Sequence, residues 1–170
     1  MKTFAICSAL ILAGAAAFAQ APATASATIN DAMGKTVGSA TLRETASGVL
    51  IKVDLTGAPA GVHAIHVHTT GKCDAPMFMT AGGHFAPGGT KHGLMAVGGP
   101  HAGDLPNIFV PADGKLSVEI LEPNVTLAAG PRSLLDADGS ALVLHATADD
   151  YMTDPAGNAG GRIACGVINK

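Results

Sequence analysis

Glycine and proline interrupt this chain so often that a long helix has little room to form. The 170 residues include 22 glycines and 10 prolines, and no long segment repeats its apolar residues at the helical period. Short runs of alternating apolar residues lie between these interruptions, as in half-buried strands. The eight runs are 27–33, 37–44, 49–55, 61–68, 108–110, 116–121, 141–146 and 162–168. The pattern predicts an all-β protein, an antiparallel sandwich or barrel of about eight strands.

The run at residues 49–55 shows the strand pattern most clearly. Its odd-numbered residues are apolar, whereas Lys52 and Asp54 are charged, so one face is predicted to enter the core and the other to meet solvent. Residues 69–106 and 147–161 lack this pattern and are predicted to form two long loops. Loops of such length in a compact domain are usually functional or cross-linked.

The first 19 residues are predicted to be a cleaved secretory signal peptide. Lys2 gives a positive start, residues 4–18 are apolar and uncharged, and Ala17-Phe18-Ala19 fits a cleavage site. The apolar stretch is too short for a convincing membrane span, which needs roughly 20 residues. An uncleaved anchor is the alternative. We therefore expect export of a single domain, residues 20–170, free of the membrane, in which residues 20–27 form a mobile leader.

Charge and cysteine content narrow the function classes. The formal net charge is −3, and loss of Lys2 with the signal leaves 9 basic and 13 acidic residues, a net charge of −4. This mild acidity argues against nucleic-acid binding, which favours a basic face. Cys73 and Cys165 remain in the mature chain. In an oxidising compartment they most simply form one disulfide, with two buried free thiols as the alternative.

Six of the seven histidines are arranged as two metal ions with a shared ligand would require. His66 and His68 lie two residues apart in a predicted strand, so both imidazoles project from one face and can meet the same ion. The other candidates, from the long loop and a later strand, are His84, His92, His101, Asp104 and His145. Three imidazoles and a carboxylate suit tetrahedral zinc, and imidazole-rich sites also suit copper.

Five sequence blocks resemble the copper/zinc superoxide dismutase family. In chain order they are Gly61–His68, Gly82–Pro87, Lys91–Gly93, His101–Asp104 and Gly157–Ile168. The shortened stretch around Asp149 and Tyr151 resembles the bacterial, periplasmic branch of that family. The resemblance implies an Ig-like Greek-key β-sandwich with two long functional loops. It also implies a periplasmic location.

The resemblance further implies one copper ion and one zinc ion per subunit, each with assigned ligands. The copper ligands would be His66, His68, His84 and His145. The zinc ligands would be His84, His92, His101 and Asp104, so that His84 bridges the two ions. The other matching positions are Asp149, which would link a copper-ligand to a zinc-ligand histidine, Arg162 at the channel mouth, and the disulfide of Cys73 and Cys165.

The implied activity is conversion of superoxide to dioxygen and hydrogen peroxide by alternating reduction and oxidation of copper. His84 would take up and release a proton, and Arg162 would attract the small anionic substrate. The resemblance does not decide between a monomer and a homodimer. Three other classes of protein fit the sequence less well. A copper-buffering protein needs no shared His84, and a structural sandwich with a degenerate site should lack at least one ligand. A zinc hydrolase needs an open coordination position on zinc.

Other conspicuous side chains are interpreted as structural. His63 points away from His66 in the predicted strand and is expected to make hydrogen bonds rather than bind metal. Met77, Met79 and Met95 are expected to pack under the loop or against a partner. Soft contacts to copper during metal loading are the alternative interpretation of these methionines.

Overall fold

The computed structural model describes residues 23–170, so the predicted signal peptide lies outside the described residues. The strands are β1 (Thr24–Asp31), β2 (Thr36–Thr45), β3 (Gly48–Leu55), β4 (Gly61–His63), β5 (Ile65–His68), β6 (Ile108–Val110), β7 (Leu116–Glu122), β8 (Ala141–His145) and β9 (Arg162–Val167). A short 3₁₀ helix, Met79–Ala81, is the only helical element among residues 23–170. The prediction of an all-β fold is confirmed. No helix in these residues is long and apolar enough to cross a membrane.

Seven strands form one curled antiparallel sheet, and the other two described strands form a small separate sheet. The large sheet has the order β5-β8-β9-β1-β2-β3-β7, and β4 pairs with β6. β7 pairs with β3 although β4, β5 and β6 lie between them in the chain. Such a return connection is typical of Greek-key sandwiches. The predicted topology class is therefore confirmed.

β3 shows how alternation in the sequence builds the core. Val49, Ile51 and Val53 are fully buried in the main apolar cluster. On the opposite face, the Lys52 ammonium lies 3.0 Å from the Asp54 carboxylate, with both side chains partly exposed to solvent. An exposed ion pair of this kind contributes little to stability, so burial of the apolar face holds the strand in place.

Two predicted strand boundaries are wrong, each for a physical reason. β1 begins at Thr24, inside the segment expected to be a mobile leader, because Ala25 and Ala27 continue the buried face that reaches Ile29. The run at residues 61–68 is divided at Ala64 into β4 and β5, which pair with different strands. Hydrophobic alternation alone does not reveal where a chain passes from one sheet to the other.

A third long connection, residues 123–140, lies between two of the predicted strands, but its packing into the core was not predicted. Its apolar residues Val125 and Leu127 are buried in the main core. The Glu44 carboxylate of β2 accepts hydrogen bonds from the Thr126 hydroxyl at 2.9 Å and from the Leu127 amide. The loop is thus held by burial and by one carboxylate that is distant in sequence.

Candidate metal centre

The backbone of β5 positions the histidines of the centre. Two isolated backbone pairings bring the long loop onto this strand, with His68 opposite His84 and His66 opposite Asp104. Val67, between the two strand histidines, donates to one loop segment at 2.9 Å and accepts from another at 2.8 Å. The Val67 side chain is buried in the core, so one face of β5 packs in the core and the other carries the two histidines of the centre.

Four buried imidazoles form a first cluster, in which one ring nitrogen from each lies within 4.8 Å of the others. Its members are His66, His68, His84 and His145. His66 Nδ1 and His84 Nε2 are buried and have no hydrogen-bond partner among the described residues. The Nε2 atoms of His68 and His145 face each other at 3.4 Å. Buried polar atoms normally have partners, so these nitrogens are arranged for a ligand between them.

Burial keeps three of these imidazoles neutral. It lowers the pKa of His68 from 6.5 to about 2, of His84 to about 4 and of His145 to about 3, and neighbouring imidazoles add to the effect. A neutral imidazole keeps a lone pair for a metal ion, whereas an imidazolium does not. At neutral pH these three imidazoles are therefore in the protonation state that binds metal.

A carboxylate organises the second cluster, which contains His84, His92, His101 and Asp104. Asp104 Oδ1 lies 2.7 Å from His84 Nδ1, 3.0 Å from His92 Nδ1 and 3.2 Å from His101 Nδ1. The other oxygen accepts from the amides of Gly93 and His101 at 2.9 and 3.0 Å. Burial raises the pKa of Asp104, but the hydrogen bonds and neighbouring imidazoles outweigh it and hold the pKa well below its usual range.

Asp149 connects the two clusters. Its Oδ2 atom lies 2.9 Å from His66 Nε2 and its Oδ1 atom lies 3.0 Å from His92 Nε2. Burial raises the pKa of this carboxyl, but hydrogen bonds with the two histidines and with the Tyr151 amide lower it further than burial raises it. The carboxylate therefore orients one imidazole of each cluster, and leaves the Nδ1 atoms of both directed at the centres.

Three residues support Asp149 through contacts that the sequence did not predict. The Asn107 side chain donates to the Asp149 carbonyl at 2.9 Å and accepts from its amide at 2.8 Å. The Tyr151 hydroxyl accepts from the Asn107 amide at 2.7 Å. At Gly157, a Cβ atom would lie 1.8 Å from Asp149 Oδ1, so only glycine fits there. No spacing in the sequence signals these contacts, since they join separate loops.

Arg162 lies at a cavity of about 550 Å³ that reaches the first cluster. The cavity is lined in part by His68, His84 and His145. The guanidinium of Arg162 donates to the carbonyls of Phe78 at 2.7 Å and Gly82 at 2.6 Å. It thereby fixes a positive charge beside the imidazoles that face the cavity. The Gly82 carbonyl also lies 2.9 Å from His68 Nδ1, which fixes the orientation of that ring.

A disulfide between Cys73 and Cys165 crosses 92 residues of sequence. Cys165 follows Arg162 closely in β9, and Cys73 lies in the same loop as the carbonyls that Arg162 binds. The covalent bond and the guanidinium contacts therefore hold the same two segments together.

His63 stands apart from both clusters. Its Nδ1 atom lies 2.9 Å from the His145 carbonyl and its Nε2 atom lies 3.0 Å from the Pro59 carbonyl. With both ring nitrogens engaged by backbone, it has none left for a metal ion. The prediction that His63 is a hydrogen-bonding residue is confirmed.

The fold and the paired clusters define a β-sandwich metalloprotein with two adjoining centres. Three or four imidazoles suit copper, and three imidazoles with one carboxylate suit zinc closed by protein ligands. The unpartnered nitrogens of His66 and His84 agree with this use. A hydrolytic zinc site would need an open coordination position, which four protein donors do not leave.

Comparison with known proteins agrees with the geometry. The model of the family described as copper/zinc superoxide dismutase (SODC) matches residues 36–168. A relative from Aquifex aeolicus, superoxide dismutase [Cu-Zn] 2, is 53% identical over 137 residues, which cover 79% of this chain and 80% of the relative.

Two solved structures have the same fold. The crystal structure of a SOD-like protein from Bacillus subtilis gives a TM-score of 0.80 at 38% identity, covering 84% of this chain and 96% of that one. The Cu/Zn superoxide dismutase from Brucella abortus gives a TM-score of 0.71 at 32% identity, covering 86% of this chain and 100% of that one. The chain belongs to the copper/zinc superoxide dismutase family.

Proposed function

We propose that two metal ions that share His84 carry the activity of this chain. The activity is that of its family, superoxide dismutation with copper and zinc as cofactors. In this proposal, the first cluster of His66, His68, His84 and His145 binds copper. The second cluster of His84, His92, His101 and Asp104 binds zinc. The observation that carries the proposal is the membership of His84 in both clusters.

The two nitrogens of His84 have different surroundings. Nδ1 lies 2.7 Å from Asp104, inside the second cluster, whereas Nε2 lies in the first cluster without a hydrogen-bond partner. A ring that serves two cations must lose both protons, and two nearby positive charges favour that loss. The geometry therefore supports a bridging imidazolate.

Copper supplies a one-electron couple between Cu(II) and Cu(I), and zinc, which is not redox-active, supplies a fixed charge. The net reaction is 2 O₂•⁻ + 2 H⁺ → O₂ + H₂O₂. His84 holds one of these protons at Nε2 and gives it up to the product. His84 Nδ1 and Asp104 both lie in the second cluster, so zinc held there would keep the ring in place while the proton moves.

Arg162 is proposed to guide the substrate. Superoxide is a small anion and the mature chain has a net negative charge, so attraction must be local. Arg162 lines the cavity beside His68 and His145, where its guanidinium is held by two carbonyls. An ordered positive charge at this position attracts the anion toward the imidazoles.

We also propose that the protein is exported to the periplasm. Residues 1–19 would be removed after Ala19, and residues 20–170 would form the mature domain. The disulfide supports this location, because such bonds persist in oxidising compartments. N-terminal sequencing of protein from the periplasmic fraction tests the cleavage site. A mature chain that retains Met1 would contradict it.

A second copy of this chain is the partner we propose for the exposed face of β4 and β6. Val62 and Phe109 pair across these strands, and 46% and 65% of their surfaces are exposed. A solvent-facing pair of large apolar side chains favours an interface. Analytical ultracentrifugation should show a dimer that Phe109→Glu dissociates and that Met33→Glu, in the exposed turn between β1 and β2, does not. A monomeric wild type would contradict this assembly.

The test of the metal assignment is dismutation by the mature protein, with metal content measured on the same sample. Activity should follow copper content up to one ion per chain, and His145→Ala should abolish both stable copper retention in the first cluster and activity. Zinc should stay in that variant, because His145 belongs to the first cluster alone. Full copper and zinc occupancy without activity would favour a metal-buffering protein instead.

A further inference from the structure

Two methionines line the cavity above the first cluster, and the dismutation chemistry does not use them. Met77 and Met79 are 66% and 62% exposed, although methionine is usually buried. Both line the cavity that also contains His68, His145 and Arg162. Of the two environments expected for them, packing under the loop is therefore wrong for the described structure, and packing against a partner stays a prediction.

The residue between them explains why they are exposed. Phe78 adopts a left-handed backbone conformation with φ 53° and is buried with Ala81, Val143 and Cys165. Its carbonyl accepts a hydrogen bond from Arg162 at 2.7 Å. With the ring anchored inward and the carbonyl fixed, the flanking side chains of Met77 and Met79 are displayed at the cavity. Their exposure is thus a consequence of an ordered segment.

Thioethers at this position have a specific chemical preference. Thioether sulfur is a soft ligand that favours Cu(I), whereas imidazole accepts several divalent metals. The imidazoles of the first cluster are almost completely buried, so copper that reaches them through the cavity passes the methionines. A bare cation would also be repelled by Arg162, and neutral soft ligands can hold copper despite that charge.

We propose that Met77 and Met79 form a transient docking site for Cu(I), from which copper passes to His68 and His145. The site is distinct from the four imidazoles that retain the metal, and it acts during loading. The proposal rests on the assignment of the first cluster to copper. No change of oxidation state is required for the transfer, because Cu(I) moves from thioether to imidazole ligands.

The experiment measures copper transfer into copper-free, zinc-loaded mature protein with its disulfide intact, under anaerobic conditions. The donor is the coloured Cu(I)–bicinchoninate complex, whose loss of absorbance gives the transfer rate. The test variant is Met77→Leu with Met79→Leu, which nearly conserves side-chain volume. The control is Met33→Leu with Met95→Leu, two exposed methionines that do not line the cavity. Cu(II) uptake from its glycine complex is measured in parallel.

Groups that support a metal site commonly change metal affinity by about 10- to 100-fold, so we expect Cu(I) transfer to the test variant to slow by at least about tenfold. The control variant should match wild type, and Cu(II) uptake should be the same in all three proteins. As an independent readout, X-ray absorption of Cu(I) trapped in a His145→Ala background should show sulfur ligands. These should disappear when both methionines are leucine.

Two results would overturn the docking site alone. An unchanged Cu(I) transfer rate would show that copper does not use the thioethers. An equal slowing of Cu(I) and Cu(II) would show that the substitutions merely narrow the cavity. Equal Cu(I) uptake by wild type and by the His145→Ala variant would instead overturn the copper assignment, and the docking site with it. The failure of each idea is therefore distinguishable.

Discussion

Two parts of the molecule, called here the sheet half and the loop half, are stabilised in different ways. In the sheet half, defined as β1, β2, β3 and β7, alternating apolar side chains such as those of β3 are buried against one another. The loop half, defined as residues 69–107 and 146–161, contains only one short 3₁₀ helix as regular structure. It is held by Asp104, Asp149, the disulfide and Arg162.

The difference lies in how far the stabilising contacts reach along the chain. A β-strand alternation repeats every two residues, whereas Asp149 is separated by 83 residues from His66 and by 57 from His92. Long-range polar contacts order a loop without giving it regular structure. They also place charged and titratable groups together, which a binding site needs and an apolar core excludes. We therefore expect substitutions in the sheet half to lower stability without preventing metal binding, and substitutions at the site to reduce metal binding without unfolding the sheet.

The largest expected effect comes from Asp104→Ala in the loop half. Loss of this carboxylate leaves two backbone amides and the neighbouring imidazoles without their acceptor. We expect the metal-free protein to lose about 3–5 kcal/mol of unfolding free energy, as for other broken buried polar networks. Zinc content should fall to near zero. Urea unfolding of chelator-treated protein and elemental analysis measure the two effects, and full zinc occupancy would contradict the ligand assignment.

Ile51→Ala is the matching change in the sheet half. Ile51 is completely buried in the main core, so its truncation should cost about 2–5 kcal/mol. Because no metal donor lies in β3, both metals should still bind at wild-type stoichiometry. Lys52→Ala, on the exposed face of the same strand, should leave the melting temperature unchanged. Loss of metal in the Ile51 variant at a temperature where it is folded would show that the halves are coupled.

Asp149→Asn separates orientation of the ligands from folding. The side-chain amide has one acceptor oxygen in place of two, so one of the two histidines loses its acceptor. Metal affinity should fall by about 10- to 100-fold with little change in sheet stability. Competition with a chelator measures it. Asp150→Asn, which changes the adjacent exposed carboxylate, is the control and should leave the affinity at the wild-type value.

The metal-free protein should be less stable in acid because of the buried histidines of the first cluster. The pKa values of His68, His84 and His145 are lowered to about 2, 4 and 3, so the unfolded chain binds protons below pH 6.5 that the folded chain does not. Their contribution is complete above pH 6.5 and is lost as the pH falls toward the folded values. Each such histidine adds a slope of up to about 1.4 kcal/mol per pH unit.

Urea unfolding of chelator-treated protein between pH 7.5 and pH 5 measures that slope. The Ile51→Ala variant should have a lower unfolding free energy at every pH but the same dependence on pH, because the sheet half contains no histidine. A stability that does not change over this range would mean that the imidazoles are already protonated in the folded state.

Much of the fold could be predicted because its cause is local. The alternation at residues 49–55 predicted β3 and its buried face, and the frequent glycines and prolines excluded long helices. Where the cause was not local, prediction failed. The division at Ala64 and the loop at residues 123–140 depend on partners that the neighbouring sequence does not reveal.

By itself, the sequence determined which donors this protein has and the two that share a strand face, since the pair of His66 and His68 follows from the two-residue period of β structure. The family resemblance implied that His84 belongs to both clusters and that Asp149 joins them, but folding brings these residues together. Only the tertiary structure showed that Asn107 supports the Asp149 backbone and that Gly157 leaves space for its carboxylate. The exposure of Met77 and Met79 likewise follows from the burial of Phe78, which lies between them. The reason is physical: residue type sets what a side chain can bind, and chain folding sets which side chains meet.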